Sequence, residues 1–309
     1  MKRERKIPLW RDIRFWRWGG QVLTVMLVAS AFGILWDNLT FNLKQLGIEL
    51  GFDFLQSQAS FDIGETPIPY QPFDSYTRAL LVGLLNSLRV ILLALLLSTV
   101  VGVTIGIARL WDNWLVRQLA LIYVEIFRNI PLLLQLFFWY FALFLNLPPA
   151  DNKISLLGLI YASNRGVDIG EIHLSSEFSA LLMGMIIYNG AYIAEIVRGG
   201  IQSVPPGQWE AAKALGLTPG LTMRLVILPQ ALRVIIPPLT NQYLNLVKGS
   251  SLAIAIGYPD IYFVASTTFN QTGRAVEVML LIAITYLILD LIVSLVMNTI
   301  NRAVQIKER

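Results

Sequence analysis

Stretches of about 20 mostly apolar residues, enough to carry a helix across a bilayer, recur six times along this chain. They lie at 19–36, 88–108, 129–146, 178–197, 238–257 and 275–299, with 79–87 leading into the second as an interfacial entry segment. The fifth, PLTNQYLNLVKGSSLAIAIG, is the most polar. In hydrocarbon every backbone polar group must be satisfied internally. Runs of this length therefore predict helices, and the expected fold class is an all-α integral membrane protein with six transmembrane helices. Composition agrees: 14% of residues are charged, against about 25% in soluble domains. The chain has no cysteine and a single histidine, His173, which leaves no thiolate or histidine cluster for a metal.

Orientation follows from Lys and Arg in the connecting segments. With the N-terminus placed in the cytoplasm, the external segments hold Lys44, Arg78, Lys153, Arg165 and Arg274. Arg89 and Lys248 fall within spans, and the rest of the 24 basic residues are cytoplasmic. Six spans return the basic C-terminus to the same side. A rival reading of the first span is a cleavable signal peptide ending near Ala29-Ser30-Ala31, but apolar residues continue to Trp36. The acidic, proline-bearing segment 37–78 reads as an external loop, with room for a short amphipathic helix at its start. The expected organisation is an N-terminal segment, span and external loop over 1–78, a membrane domain over 79–300, and a cytoplasmic tail over 301–309.

The most informative connection is 198–237. Pro205, Pro206 and Gly207 break the incoming chain. Gln208 to Leu215 then reads as a short alanine-rich helix, with Gly216 placed to cap it. Thr218 and Pro219 suit the cap and first turn of a second short helix, and Pro229 is expected to end or kink it. The spacing predicts a compact helix-turn-helix, with Ala211, Ala212 and Ala214 allowing close approach and Glu210 as a charged handle. A plain interfacial helix is the alternative.

This run resembles the loop of bacterial ATP-binding-cassette importer permeases, in which EAA is followed by three residues, Gly, nine residues and Ile-x-Leu-Pro. Glu210-Ala211-Ala212, Gly216 and Val226-Ile227-Leu228-Pro229 stand at that spacing, with Val226 where the family prefers Ile. Flanking runs, among them EIFRNIPLLLQLFFWYF (125–141) and KGSSLAIAIGYPD (248–260), look like permeases for polar amino acids, nearest to the general L-amino acid and glutamate/glutamine branches. Arg128-Asn129-Ile130-Pro131 replaces the usual Arg-Gly-Thr-Pro, and Gly249 replaces the usual Asn or Asp. The resemblance covers about 79–300. It implies a five-helix type-I importer core, with Glu210, Ala211, Ala212, Gly216, Leu228 and Pro229 coupling to a separate ATPase subunit. It also implies a second permease, making a heterodimer, and an external amino acid binding protein. No cofactor is expected on this chain, since ATP and Mg would sit on the partner ATPase. No Gly-x-x-x-x-Gly-Lys-Ser/Thr loop occurs here.

Polar residues inside spans are costly and usually face a protein interior or water. Asn241, Asn245 and Lys248 share one helical face, and Ser250 and Ser251 follow directly. This stripe is expected to line the translocation path, with Lys248 near a substrate carboxylate. Snorkelling, or pairing with a structural acid, is the alternative for Lys248. Tyr192, Asn189 and Gln135 are further path candidates. Glu195 with Arg198, and Glu125 with Arg128, read as local pairs three residues apart. Asp290, deep in the last span, needs a partner that the sequence does not name. His173 reads as a solvated loop residue. A proton-coupled secondary transporter using Lys248, Glu195 and Asp290 is the rival function, and it leaves the loop at 205–229 unexplained.

Overall fold

The computed structural model of the protein describes residues 13–45, 47, 50–155 and 158–305. The chain divides into two compact units, Met1–Phe52 and Asp53–Arg309. The first contains α1, Ile13–Gln45, apolar on all sides and with no buried side chain among its described residues. The short helix allowed for after residue 37 is the continuation of α1.

In the second unit, five of the chain's apolar runs become four long helices and one bent pair. The long helices are α2 (Tyr76–Ala108), α5 (Ser176–Gln202), α8 (Leu228–Gly249) and α10 (Ala275–Val304). Nothing interrupts α2 at residue 88. The entry segment and the span form one helix, capped by the Ser75 side chain on the Arg78 amide. At 1.5 Å per residue it is about 50 Å long, more than the hydrocarbon thickness requires.

The bundle is held by small residues as much as by large ones. Gly102 and Gly106 of α2 lie against Ile193, Ala194 and Val197 of α5, and a Cβ at Gly102 would stand 2.5 Å from Ile193. In a membrane, where lipid is as apolar as leucine, such close backbone approach is a main source of helix association. Val90, Ala94, Leu136, Phe178, Leu181, Met185 and Val247 fill a core beside this seam. A second cluster, with Ile193, Val197, Ile227 and Ile235, lies at its far end.

The third apolar run differs from expectation. Its upstream flank is itself a helix, α3 (Trp114–Asn129), and Pro131 separates it from α4 (Leu132–Phe137), which continues through a π turn and a 3-10 turn to Asn146. The two limbs meet at 105°, so the span placed at 129–146 is one arm of a broken element. Proline cannot donate an amide hydrogen and disfavours helix in the residue before it. The freed carbonyls at the break find a side chain: Gln135 Nε2 donates to the Phe127 and Ile130 carbonyls at 2.9 and 3.0 Å.

Two parts of the structure are absent from the sequence reading. The segment after α4 folds into an antiparallel meander, β1 (Ile154–Ser155), β2 (Ile160–Ser163), β3 (Gly166–Ile169) and β4 (Ile172–Ser175). The fold remains predominantly helical. His173 is a sheet residue there, its Nδ1 2.6 Å from Asp168 Oδ1. Lys153 bonds the other Asp168 oxygen at 2.6 Å. Asp168 is thereby held below the usual carboxylate range, first by Lys153 and then by His173. The second addition is α9 (Ile261–Thr272), capped by Asp260 on the Phe263 amide at 2.8 Å.

The segment ahead of α2 is docked rather than loose. Phe54, Ala59 and Ile63 are buried with Tyr76, Ala79, Val82 and Val264. Glu65 pairs with Arg89 at 2.9 Å. Arg89, expected to snorkel, is thus tied to this segment.

Candidate functional site

The fifth run extends further back than expected. The helix α8 passes through Pro237 and Pro238 and carries Pro229 in its first turn. Pro229 therefore does not end the preceding helix. A π turn at Met223–Ile227 stands ahead of it, widening the chain where the missing amide hydrogen and the ring exclude a regular turn.

Asn241, Asn245 and Lys248 do share one face of α8, and all three are exposed. The opposite face, with Leu239, Gln242, Leu246 and Val247, is buried in the bundle. Among the described residues neither asparagine side chain makes a hydrogen bond. Lys248 Nζ lies 3.7 Å from Asp290 Oδ2 of α10, which supplies the partner that Asp290 required. The helix tightens to a 3-10 turn at Ser250–Ile256. Ser250 and Ser251 donate to the carbonyls of Val247 and Lys248, each at 2.7 Å. Ser250 is buried and lies off the exposed stripe that it follows.

The polar residues of α5 are arranged differently. Asn189 is buried: its Nδ2 donates to the Met185 carbonyl and its Oδ1 accepts from Gln242 Nε2, both at 2.8 Å. This amide pair bridges α5 and α8 inside the subunit, so Asn189 does not line an exposed surface. Gln242 was not singled out from sequence, although its offset from the Asn241–Asn245–Lys248 face marks it as inward-facing. The Tyr192 hydroxyl donates to the Arg128 carbonyl at the end of α3 at 3.2 Å, and the Arg128 guanidinium lies over its ring at 5.2 Å. Gln135 is likewise buried, bound to the α3–α4 break by its amide nitrogen, while its Oε1 makes no hydrogen bond. Glu195 pairs with Arg198, as its spacing suggests, and also with Arg109 at the end of α2. No short-range pattern announces that second partner.

The connection between α5 and α8 is well defined. Helix α6, Pro206–Ala214, starts with proline in its first turn. Its end is a Schellman motif: the Leu217 amide donates to the Ala212 carbonyl at 3.1 Å and the Gly216 amide to the Lys213 carbonyl at 3.0 Å. Gly216 has φ of +73° with open space around it, so backbone conformation and not crowding selects glycine. Glu210, Ala211, Ala214 and Gly216 are exposed, and Leu215 is 80% exposed. Ala212 is buried at 2% and faces the bundle, unlike the alanines it was grouped with. Leu228 and Pro229 are exposed. Helix α7, Pro219–Thr222, begins at Thr218 without a side-chain cap.

A family model described as binding-protein-dependent transport system inner membrane component matches residues 98–306. Protein YhdX of Escherichia coli (strain K12) is 41% identical over 94% of this chain and 95% of its own. AapQ of Rhizobium johnstonii, a general L-amino acid transport system permease protein, is 36% identical over 98% of this chain and 94% of its own. The crystal structure of an amino acid ABC transporter with histidines superposes with a TM-score of 0.59 at 30% identity, covering 74% of this chain and 95% of that one.

Proposed function

This chain belongs to the family of binding-protein-dependent transport system inner membrane components, a multi-pass inner-membrane transport subunit, and from that premise we propose that it carries amino acids. The relatives named as amino acid permeases support the substrate class. The observation that carries the mechanism is the joining of two features in one element. The capped α6 helix is joined to α8 through residues 215–227, which include α7 and a π turn, and α8 bears the exposed stripe of Asn241, Asn245 and Lys248.

In this reading α6, with Glu210, Ala211, Leu215 and Gly216, lies on the cytoplasmic side and meets a separate ATPase subunit that holds ATP and Mg. The N- and C-termini are on that side as well. The exposed face of α8 looks toward a second, non-identical permease, and the two faces enclose the path. An external binding protein delivers the amino acid. Lys248 meets the substrate's carboxylate, with the two asparagines supplying neutral donors and acceptors along the way. ATP binding and hydrolysis in the partner rock the two permeases between outward- and inward-open states.

The proton-relay alternative gains nothing from the geometry. Glu195 is engaged by two arginines, so it is not a free carrier. Reconstitution with a partner permease, ATPase and binding protein tests the reading. Uptake of labelled amino acids is expected to require ATP and to survive collapse of the proton gradient. Uptake that persists without ATP and stops when the gradient is dissipated overturns it.

A further inference from the structure

Asp290 stands near the middle of α10 (Ala275–Val304), where a carboxylate is expensive unless paired. Its pairing is slack. The Lys248 Nζ–Asp290 Oδ2 distance of 3.7 Å exceeds the roughly 2.7–2.9 Å of a charge-assisted hydrogen bond. Its Oδ1 is buried and without a hydrogen-bond partner. Other ion pairs of the bundle are tighter: Arg89–Glu65 closes to 2.9 Å, and Glu195 is gripped from two sides. The Lys248 side chain is 57% exposed against 23% for Asp290. An ammonium group has three donors, so the loose contact with Asp290 leaves most of this one's bonding capacity at the exposed face of α8.

We infer that Asp290 is an internal stand-in for the substrate's carboxylate. It keeps Lys248 aimed before substrate arrives, yields it to the incoming carboxylate, and recaptures it as the substrate leaves. Asp290 is then a positioning residue that sets affinity through Lys248, by competition. A loose contact suits this role, since a short, fully bonded pair would not be displaced by one carboxylate. The inference rests on the amino acid reading above and adds a determinant of affinity that the resemblance does not assign.

The test separates affinity from turnover in the assembled complex of both permeases and the ATPase. Kd for the labelled L-amino acid that the wild type imports best is measured without binding protein, and ATP-driven uptake is measured with it. Asp290→Asn removes the competitor, and Kd is expected to fall about threefold, the scale of a partly exposed ion pair, while turnover drops because recapture is lost. Asp290→Glu keeps the charge and reaches further, and Kd is expected to rise by a similar factor. Both shifts vanish in a Lys248→Met background. The charge-conserving Glu variant keeps the test decisive if the Asn variant assembles poorly. A purely structural pair predicts lower yield of complex with no opposed Kd shifts, and recovery of transport in the Lys248→Met/Asp290→Asn double variant. Either result, with wild-type uptake intact, overturns the inference alone. Absence of ATP-driven amino acid uptake by the wild type overturns the importer reading and this inference together.

Discussion

Helices α5 and α8 lie side by side, and each carries polar residues at membrane depth, yet they use them in opposite ways. On α5, Asn189, Tyr192 and Glu195 all have partners within the subunit: Gln242, the Arg128 carbonyl, and Arg198 with Arg109. On α8, Asn241, Asn245 and Lys248 face outward, with one loose ion pair among them. A polar residue in a span is thus not by itself a sign of the path. A satisfied, buried group fixes one helix against another. An exposed and unsatisfied one on a lipid-depth face requires something beyond the subunit to meet it.

The sharpest way to break this comparison is at the seam that makes α5 an interior helix. Gly102→Leu drives side-chain atoms into Ile193 and the Gly190 carbonyl. It is expected to cost about 3 kcal/mol or more by overpacking and to remove most folded protein, read as the yield of monodisperse protein in detergent. Next, Asn189→Leu orphans the buried Gln242 amide and is expected to lower stability by about 1–3 kcal/mol, measured by thermal unfolding in detergent. Its counterpart Asn245→Leu is expected to leave stability within about 0.5 kcal/mol while lowering transport about tenfold in reconstituted vesicles. If the two asparagines behave alike in both assays, the distinction drawn between the helices fails.

Smaller effects sharpen the picture at the edges. Gly216→Val forces a branched side chain into a left-handed conformation, costing about 1–2 kcal/mol locally. It is expected to loosen the end of α6 and reduce the ATP-coupled rate more than substrate binding. Last, the depressed Asp168 carboxyl favours the folded sheet at all pH values above the ordinary carboxylate range, and that contribution is lost as pH falls through its lowered value. Acid protease cleavage between residues 147 and 175 is expected to accelerate there, and Asp168→Asn to remove that pH dependence.

Much of this was legible in the sequence, and for physical reasons. Length and apolarity give spans wherever lipid is the solvent, so α1, α5 and α10 are found with only their ends displaced. The cap at Gly216 is legible because a left-handed residue after an alanine-rich turn nearly demands glycine. The continuity of α8 through Pro237 and Pro238 is not, because proline reads as a breaker unless neighbouring helices support the freed carbonyls. The 105° break at Pro131 hides within a continuous apolar run, since hydropathy records burial and not direction. The meander at 154–175 hides for a different reason, its strands being only two to four residues long. Which polar residues have partners depends on helices distant in sequence. Hence Asn189 and Asn245 look equivalent until α5 and α8 are packed.

The short link between α6 and α8 has a mechanical consequence. A Schellman reversal, four residues of α7 and a single π turn order most of the connection between the two helices. Displacing α6 therefore acts on α8 as a crank acts on a connecting rod. The end of α8 that carries Lys248 lies about 30 Å along the helix from Leu228, beyond Pro237 and Pro238. In the importer proposed above, the joint at Leu215–Thr218 is the place where a displacement of α6 would be passed toward α8.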